Sequence, residues 1–176
     1  MPARQAVGRY PKVKVSCSKA ALVNGVQAVY KAVSPRAAIP ALSGILVETC
    51  AQGLRLVAYD LDLGIETFIP VTIEREGAMV MPARYLSDIT RRLPHSEVVI
   101  EYLVDVRAAD ILSDRANFTV KTMPAEEFPA LPEIPTVNTW SIPEPGLKTM
   151  IRRTAPAVAT EDNRAFYTGI YTIFQR

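Results

Sequence analysis

Apolar and polar positions repeat the same order of strand-like and helix-like patterns along the chain. Residues Lys12–Cys17 alternate as in a strand, Ser18 is a suitable N-cap, and apolar residues at helical spacing follow it. These helical positions are Leu22, Val26, Val29 and Val33. Pro35 is expected to end this helix. Further strands are predicted at Gly44–Val47, Leu54–Asp60 and Ile65–Ile73. The pattern predicts one β-α-β-β-β unit.

A second unit with the same plan follows the first. It begins with a short strand at Ala78–Met81 and a helix at Ala83–Leu93. Strands near Val98–Val106 and Phe118–Thr122 complete it. Two such units with helices on one face of antiparallel sheets predict an α+β domain.

A third stretch repeats the start of the first unit at an offset of 125 residues. It contains a predicted strand at Thr139–Ile142, a helix at Pro145–Thr154 and a strand at Gly169–Phe174. The offset pairs Ser16 with Ser141, Leu22 with Leu147, Val26 with Ile151 and Gly44 with Gly169. A match over so long a period indicates duplicated domains.

Proline spacing places the boundary between these domains. Four prolines fall close together at Pro124, Pro129, Pro132 and Pro135. We therefore expect a loose tail at 1–11, a first domain at 12–129, a proline-rich linker at 130–138 and an incomplete second domain at 139–176. The last segment is predicted to hold only the first β-α-β of that second domain.

Charge is distributed unevenly, although the net charge is only +2. The three predicted helices, Ser18–Val33, Ala83–Leu93 and Glu144–Thr154, carry eight basic and two acidic residues. The rest of the chain is net acidic. Lysine and arginine are good helix formers, which accounts for part of this bias without any function. Basic helix faces without interleaved aromatic residues otherwise suit contacts to phosphates of any sequence.

Other classes of protein fit the sequence less well. Cys17 and Cys50 form no CxxC or Cys/His cluster, so we expect two buried thiols and neither zinc nor a disulfide. Asp60, Asp62 and Glu66 alternate along a strand and turn, so they are interpreted as solvated carboxylates and not as a metal site. Because no nucleophile motif or phosphate loop accompanies them, we expect no enzyme, no metal and no cofactor. No secretion signal or membrane segment is evident, which favours a cytoplasmic protein.

Several segments, taken in order, resemble the bacterial DNA sliding clamp, the β subunit of DNA polymerase III. They are Val33-Ser34-Pro35-Arg36, Ile39–Ile45, Ala58–Ile65, Pro82-Ala83-Arg84 with Arg92-Leu93-Pro94, and Ser113–Phe118 continuing to Met123–Pro129. The resemblance implies a homodimeric ring of two head-to-tail subunits with three similar domains each. It implies helices around a central hole, a role as processivity factor in DNA replication, and no catalysis. The implied partners are double-stranded DNA, DNA polymerase III subunits, the clamp loader and a second copy of the chain, with no membrane.

The resemblance also assigns site residues. Arg36 and Arg84 match motif positions that contact DNA in the family. Four further DNA-binding candidates follow from helix geometry and are Arg91, Arg92, Lys148 and Arg152. Arg164 and Tyr167 align with one wall of the pocket that receives peptides of polymerases and other clients.

A subunit interface is implied at the edge of the first domain. The matching residues are Ile89, Leu93, Arg115, Phe118 and Val120. The apolar ones could equally be core residues. The family continues through a complete second and a third domain, so these residues alone are not expected to close a ring. The alternative is a shortened, clamp-like module that binds replication proteins without encircling DNA.

Overall fold

The chain divides into two units, Met1–Leu131 and Pro132–Arg176. A computed structural model describes residues 13–34, 39–94, 97–133, 140–160 and 164–173. The strands are β1 (Lys14–Ser18), β2 (Gly44–Cys50), β3 (Gly53–Tyr59), β4 (Gly64–Ile69), β5 (Thr72–Arg75), β6 (Ala78–Pro82), β7 (Glu97–Leu103), β8 (Ala108–Ser113) and β9 (Ala116–Lys121). The helices are α1 (Lys19–Tyr30), α2 (Ala83–Arg92) and α3 (Glu144–Thr154).

The first unit contains two antiparallel sheets that share strands between the two repeats. One sheet has the order β4-β3-β2-β6 and the other β5-β1-β7-β8-β9. Thus β1 of the first repeat pairs with β7 of the second, where Ser18 lies opposite Glu97. In the same way β6 pairs with β2, where Pro82 lies opposite Gly44. Each β-α-β-β-β repeat therefore contributes its first strand to the sheet of the other, which makes the two repeats one folding unit.

Helix α1 begins as the sequence predicts. The side chain of Ser18 accepts a hydrogen bond from the Ala21 backbone N–H at 3.2 Å, which satisfies a free amide of the first turn. Leu22, Val26 and Val29 are buried against the sheets. Gly25 lies on the same face, where a Cβ would come within 2.6 Å of Ile69 Cγ2.

Helix α2 follows Pro82 and packs beside α1. Its inner face buries Ala83, Leu86 and Thr90. The Lys19 Nζ at the start of α1 donates a hydrogen bond of 2.5 Å to the Leu93 carbonyl at the end of α2. A cation at a helix C-terminus satisfies a free carbonyl and interacts favourably with the helix dipole. The two repeats are thus joined through their helices as well as through their sheets.

Two apolar clusters stabilise the first unit. The larger contains residues from both sheets, α1 and α2, including Leu56, Met81 and Ile111. The smaller brings together Ala41, Leu42, Val57, Val80 and Phe128. Phe128 belongs to the segment after β9, so this segment packs with the domain and does not act only as a connector.

Several predicted strands of the first unit differ from the observed ones. The predicted strand Ile65–Ile73 is wrong as a single element, because β4 ends at Ile69 and β5 begins at Thr72 in the other sheet. Pro70 lies between them and lacks the N–H that a continuous ladder needs. Strand β8 was not predicted. The predicted strand to Val106 ends at Leu103, where a short 3₁₀ turn leads to Arg107 in a left-handed conformation.

In the second unit, α3 matches its prediction closely, but the predicted flanking strands are wrong where the structure describes them. Residues 140–143 and 169–173 have no strand structure. Extended segments form strands only when a neighbour pairs with them, and the described part of this unit provides none. Gly44 and Gly169 illustrate the contrast, because Gly44 packs against Val80 and Met81 whereas Gly169 has open space around it.

Candidate nucleic-acid interface

Three arginines project from α2 into solvent. Arg84 lies in the first turn and Arg91 and Arg92 in the last, and all three are exposed. None of the ion pairs found among the described residues involves any of them. Asp88 is the only carboxylate of this helix. The α2 surface therefore presents unpaired cations to an anionic ligand.

Three of the four cations on the strands are arranged differently, and the fourth, Lys121 of β9, is exposed and makes none of the ion pairs found among the described residues. Arg55 on β3 bridges two neighbouring strands, with Nη1 at 2.8 Å from Glu48 Oε2 and Nη2 at 2.9 Å from Glu66 Oε2. Lys14 on β1 pairs with Glu74, and Arg75 on β5 pairs with Glu101. These charges are neutralised within the sheets.

The cations on α3, which include the predicted contacts Lys148 and Arg152, fall into two groups. Lys148 Nζ lies 2.5 Å from Glu144 Oε1 one turn earlier, in an exposed pair. Arg152 and Arg153 are exposed in the last turn, where their positive charges also interact favourably with the helix dipole. Arg36 lies outside the described residues.

The edge of the first unit has an apolar groove. Ile89 of α2 and Phe118 and Val120 of β9 line a cavity of about 390 Å³, so three of the five predicted interface residues lie together. The exposed rings of Tyr85, which is 62% accessible, and of Phe118, which is 36% accessible, form part of its surface. Strand β9 is the last strand of its sheet, so its outer backbone groups have no strand partner among the described residues. An edge strand beside an apolar groove can accept a further strand.

The two remaining interface candidates lie elsewhere. Leu93 is only 2% exposed and belongs to the main core. It packs at the end of α2 and does not line the groove. Arg115 is exposed in the tight turn between β8 and β9, next to Asp114 in a left-handed conformation. Sequence reasoning missed Tyr85, Thr119 and Lys121 as groove residues. The spacing of four residues between Tyr85 and Ile89 is the signal that could have identified Tyr85.

Arg164 and Tyr167 contact each other in the second unit. The Arg164 guanidinium carbon lies 4.3 Å from the centre of the Tyr167 ring, which is a cation–π distance. The Tyr167 N–H donates to the Arg164 carbonyl at 3.0 Å. Phe166 packs beside the tyrosine with ring centres 4.4 Å apart. The structure therefore brings this predicted pair together in an exposed aromatic patch.

Two of the three carboxylates considered for a metal site, Asp60 and Glu66, have structural partners. Asp60 Oδ1 accepts the backbone N–H groups of Asp62 at 3.0 Å and Leu63 at 2.6 Å, which forms an Asx turn. Glu66 is held by Arg55. Within the described ranges, no three acidic, cysteine or histidine residues group as metal ligands.

No helix among the described residues is long and apolar enough to cross a membrane.

The cysteines of the first unit are free thiols. Cys17 is buried and Cys50 half-buried. Burial, and then the nearby Glu97 carboxylate, raises the pKa of the Cys17 thiol to about 11. Cys17 is therefore protonated and unreactive near neutral pH.

The arrangement of sheets and helices is the DNA clamp fold. A putative DNA polymerase III beta subunit from Eubacterium rectale ATCC 33656 superposes with a TM-score of 0.82 at 34% identity, over 89% of this chain and 43% of that one. The sliding clamp structure from Bacillus subtilis gives a TM-score of 0.81 at 38% identity, over 87% of this chain and 42% of that one. The predicted α+β clamp fold is thereby confirmed.

Residues 13–132 match the family model described as DNA polymerase III beta subunit, N-terminal domain, so the chain belongs to this family. The beta sliding clamp of Bacillus subtilis (strain 168) is 38% identical over 170 residues, which are 90% of this chain and 44% of that protein. The chain thus spans less than half the length of the relatives that it matches. The family is a non-catalytic accessory subunit of DNA polymerase III, as the resemblance implied.

Proposed function

We propose that this protein serves in DNA replication as a processivity factor, a sliding clamp that holds duplex DNA non-specifically and tethers DNA polymerase III. The observation that carries the proposal is the difference between helices and sheets. The arginines of α2 are exposed and make no ion pair among the described residues, whereas three of the four strand cations, Lys14, Arg55 and Arg75, are paired with carboxylates. Such a surface attracts the phosphate backbone of any sequence and has no element for reading bases.

The proposed DNA contacts are the cations of the helices and of the segment after α1. They are Arg36, Arg84, Arg91, Arg92, Lys148 and Arg152. Glu144 pairs with Lys148 at an exposed site, where ion pairs are weak, so DNA can displace it at little cost.

The remaining proposed partners are proteins. The groove lined by Ile89, Phe118 and Val120, with Arg115 nearby, is proposed to receive a partner subunit. Arg164 and Tyr167 are proposed to form one wall of a pocket for peptides of polymerase subunits, the clamp loader and other clients. We place this activity in the cytoplasm, where bacterial DNA is replicated.

Fluorescence anisotropy on linear duplexes of unrelated sequence, at several salt concentrations, tests the DNA contacts. Replacing Arg36, Arg84 and Lys148 with glutamine should weaken binding equally for all sequences and reduce the salt slope by about 0.9 for each lost phosphate contact. For this chain, we expect affinity near physiological salt no tighter than about 10⁻⁴ to 10⁻⁶ M. Binding that prefers one sequence, persists at high salt or ignores the three substitutions contradicts the proposal.

The second candidate is an interaction module that binds replication proteins without encircling DNA. The groove beside the free edge of β9 favours it, because this surface is suited to a protein and not to phosphates. If the chain binds clamp subunits or clients but no duplex at low salt, the module is the better description.

A further inference from the structure

A small groove between α1 and α2 has the composition of an anion site. It has a volume of about 280 Å³ and is lined by Lys19, Ala20, Val23, Asn24 and Arg91. Its two charged side chains are both cations. Helix α1 contains no acidic residue, and Asp88, three residues before Arg91, makes no ion pair with it.

The hydrogen-bonding groups of this groove are mostly donors. Lys19 Nζ uses one of its three donors on the Leu93 carbonyl at 2.5 Å, which fixes the ammonium between the two helices. The Arg91 guanidinium has five donors, and the Asn24 amide adds two. A ligand that fits them must carry negative charge and several acceptor oxygens within a small volume.

We propose that this groove binds a single phosphate of the DNA backbone and that Lys19 and Arg91 both contact that phosphate. The inference rests on the proposed clamp function and deepens it. It adds Lys19 and Asn24 to the DNA contacts, and it states that Lys19 and Arg91 share one phosphate and do not contact two. Because Lys19 also links the end of α2 to α1, the phosphate is bound where the two repeats meet.

The shared phosphate gives a distinctive salt dependence. The slope of log affinity against log salt counts the phosphates neutralised, at about 0.9 each for B-DNA. In the single variants Lys19→Gln and Arg91→Gln, the remaining cation still neutralises the phosphate. We therefore expect each to bind a duplex at least about tenfold more weakly, the energetic scale of one charge-assisted hydrogen bond, with little change in slope.

The double variant Lys19→Gln/Arg91→Gln is the decisive measurement, made with the whole chain and a labelled linear duplex at 10 to 100 mM NaCl. Its slope should fall by about 0.9 in total. A fall of about 1.8 means two independent contacts and overturns the shared site, and an unchanged slope overturns the site altogether. The control Lys14→Gln/Arg75→Gln removes the same charge from paired positions on β1 and β5 and should leave the slope unchanged.

A second pair of variants covers the case in which Lys19→Gln destabilises the fold. Asn24→Asp puts a carboxylate into the groove without removing the bond between Lys19 and Leu93, and it should weaken binding by about fivefold or more. Gln27→Glu changes the charge of α1 by the same amount on an exposed residue that does not line the groove. Equal effects of the two substitutions contradict the proposal. If the parent chain itself binds no duplex, the clamp function fails with it, whereas normal parent binding with insensitive variants overturns only this site.

Discussion

At the scale of single residues, Gly25 determines how closely α1 approaches the sheet. A glycine inside a helix normally costs about 0.5–1 kcal/mol relative to alanine. Here a Cβ would lie 2.6 Å from Ile69 Cγ2 and 3.0 Å from Leu56 Cδ1, and both of these side chains are buried. The close packing of α1 on β3 and β4 therefore depends on the absence of a side chain.

We expect Gly25→Ala to lower the free energy of unfolding by about 1–2 kcal/mol, because overpacking outweighs the gain in helix propensity. Urea denaturation followed by circular dichroism measures this. Gly146→Ala is the matched control, since Gly146 lies in α3 with nothing near its Cβ position, and it should not destabilise the protein. A Gly25→Ala variant as stable as the parent would show that α1 can shift outwards freely.

At the scale of elements, β9 and β4 are both edge strands with an exposed phenylalanine, yet only β9 borders a described groove. Phe118 on β9 is 36% exposed and lines that groove, whereas Phe68 on β4 is 41% exposed and does not. An exposed edge strand with apolar side chains favours pairing with another chain. The difference between the two edges predicts which of them mediates association.

We expect the chain to self-associate through β9, so Phe118→Asp should shift its mass towards the monomer while retaining the fold. Sedimentation velocity across the micromolar range measures this. Phe68→Asp places the same charge on the other sheet edge and should leave association unchanged. If the parent is a monomer at every concentration, or if both substitutions act equally, β9 is not the association edge.

Elements with their own local signals were predictable from the sequence, and those that depend on distant partners were not. The N-cap at Ser18 and the periodicity of α1, α2 and α3 gave helices close to the observed bounds. The switch of sheets at Pro70 and the strand β8 depend on pairing between residues far apart in sequence. For the same reason the apolar pattern identified Ile89 and Phe118 but could not separate them from Leu93, which tertiary packing buries.

At the scale of the whole molecule, the two units differ in how well their apolar residues are covered. The first unit buries two clusters of apolar residues, although some large apolar side chains such as Phe68 and Phe118 stay exposed. In the second, Leu147, Met150 and Ile151 are all exposed, although α3 is the counterpart of the buried helix α1. The second unit therefore gains little stability from burial of its own residues.

Apart from cuts in the loose tail expected at 1–11, we expect limited trypsin digestion to cleave first in the second unit, at Lys148, Arg152 or Arg153, and to leave a resistant fragment that contains β1 to β9. Mass spectrometry of the early products identifies the sites. Arg91 and other cations on exposed helix ends of the first unit serve as an internal comparison. Cleavage at these sites requires the domain to open. Equal rates of cleavage in both units contradict the expected difference in stability.

The pairing of β1 with β7 constrains how the protein is made. On the ribosome the chain emerges from its N-terminus, and the residue that faces Ser18 is Glu97, about 80 residues later. At about 5–20 residues per second, β1 waits for several seconds before its neighbour is synthesised. During that interval the residues Val13, Val15 and Cys17, which are buried in the folded protein, lack the neighbouring strand β7. Nascent chains of this domain should therefore engage chaperones until the second repeat has been translated, and folding should occur in one late step rather than repeat by repeat.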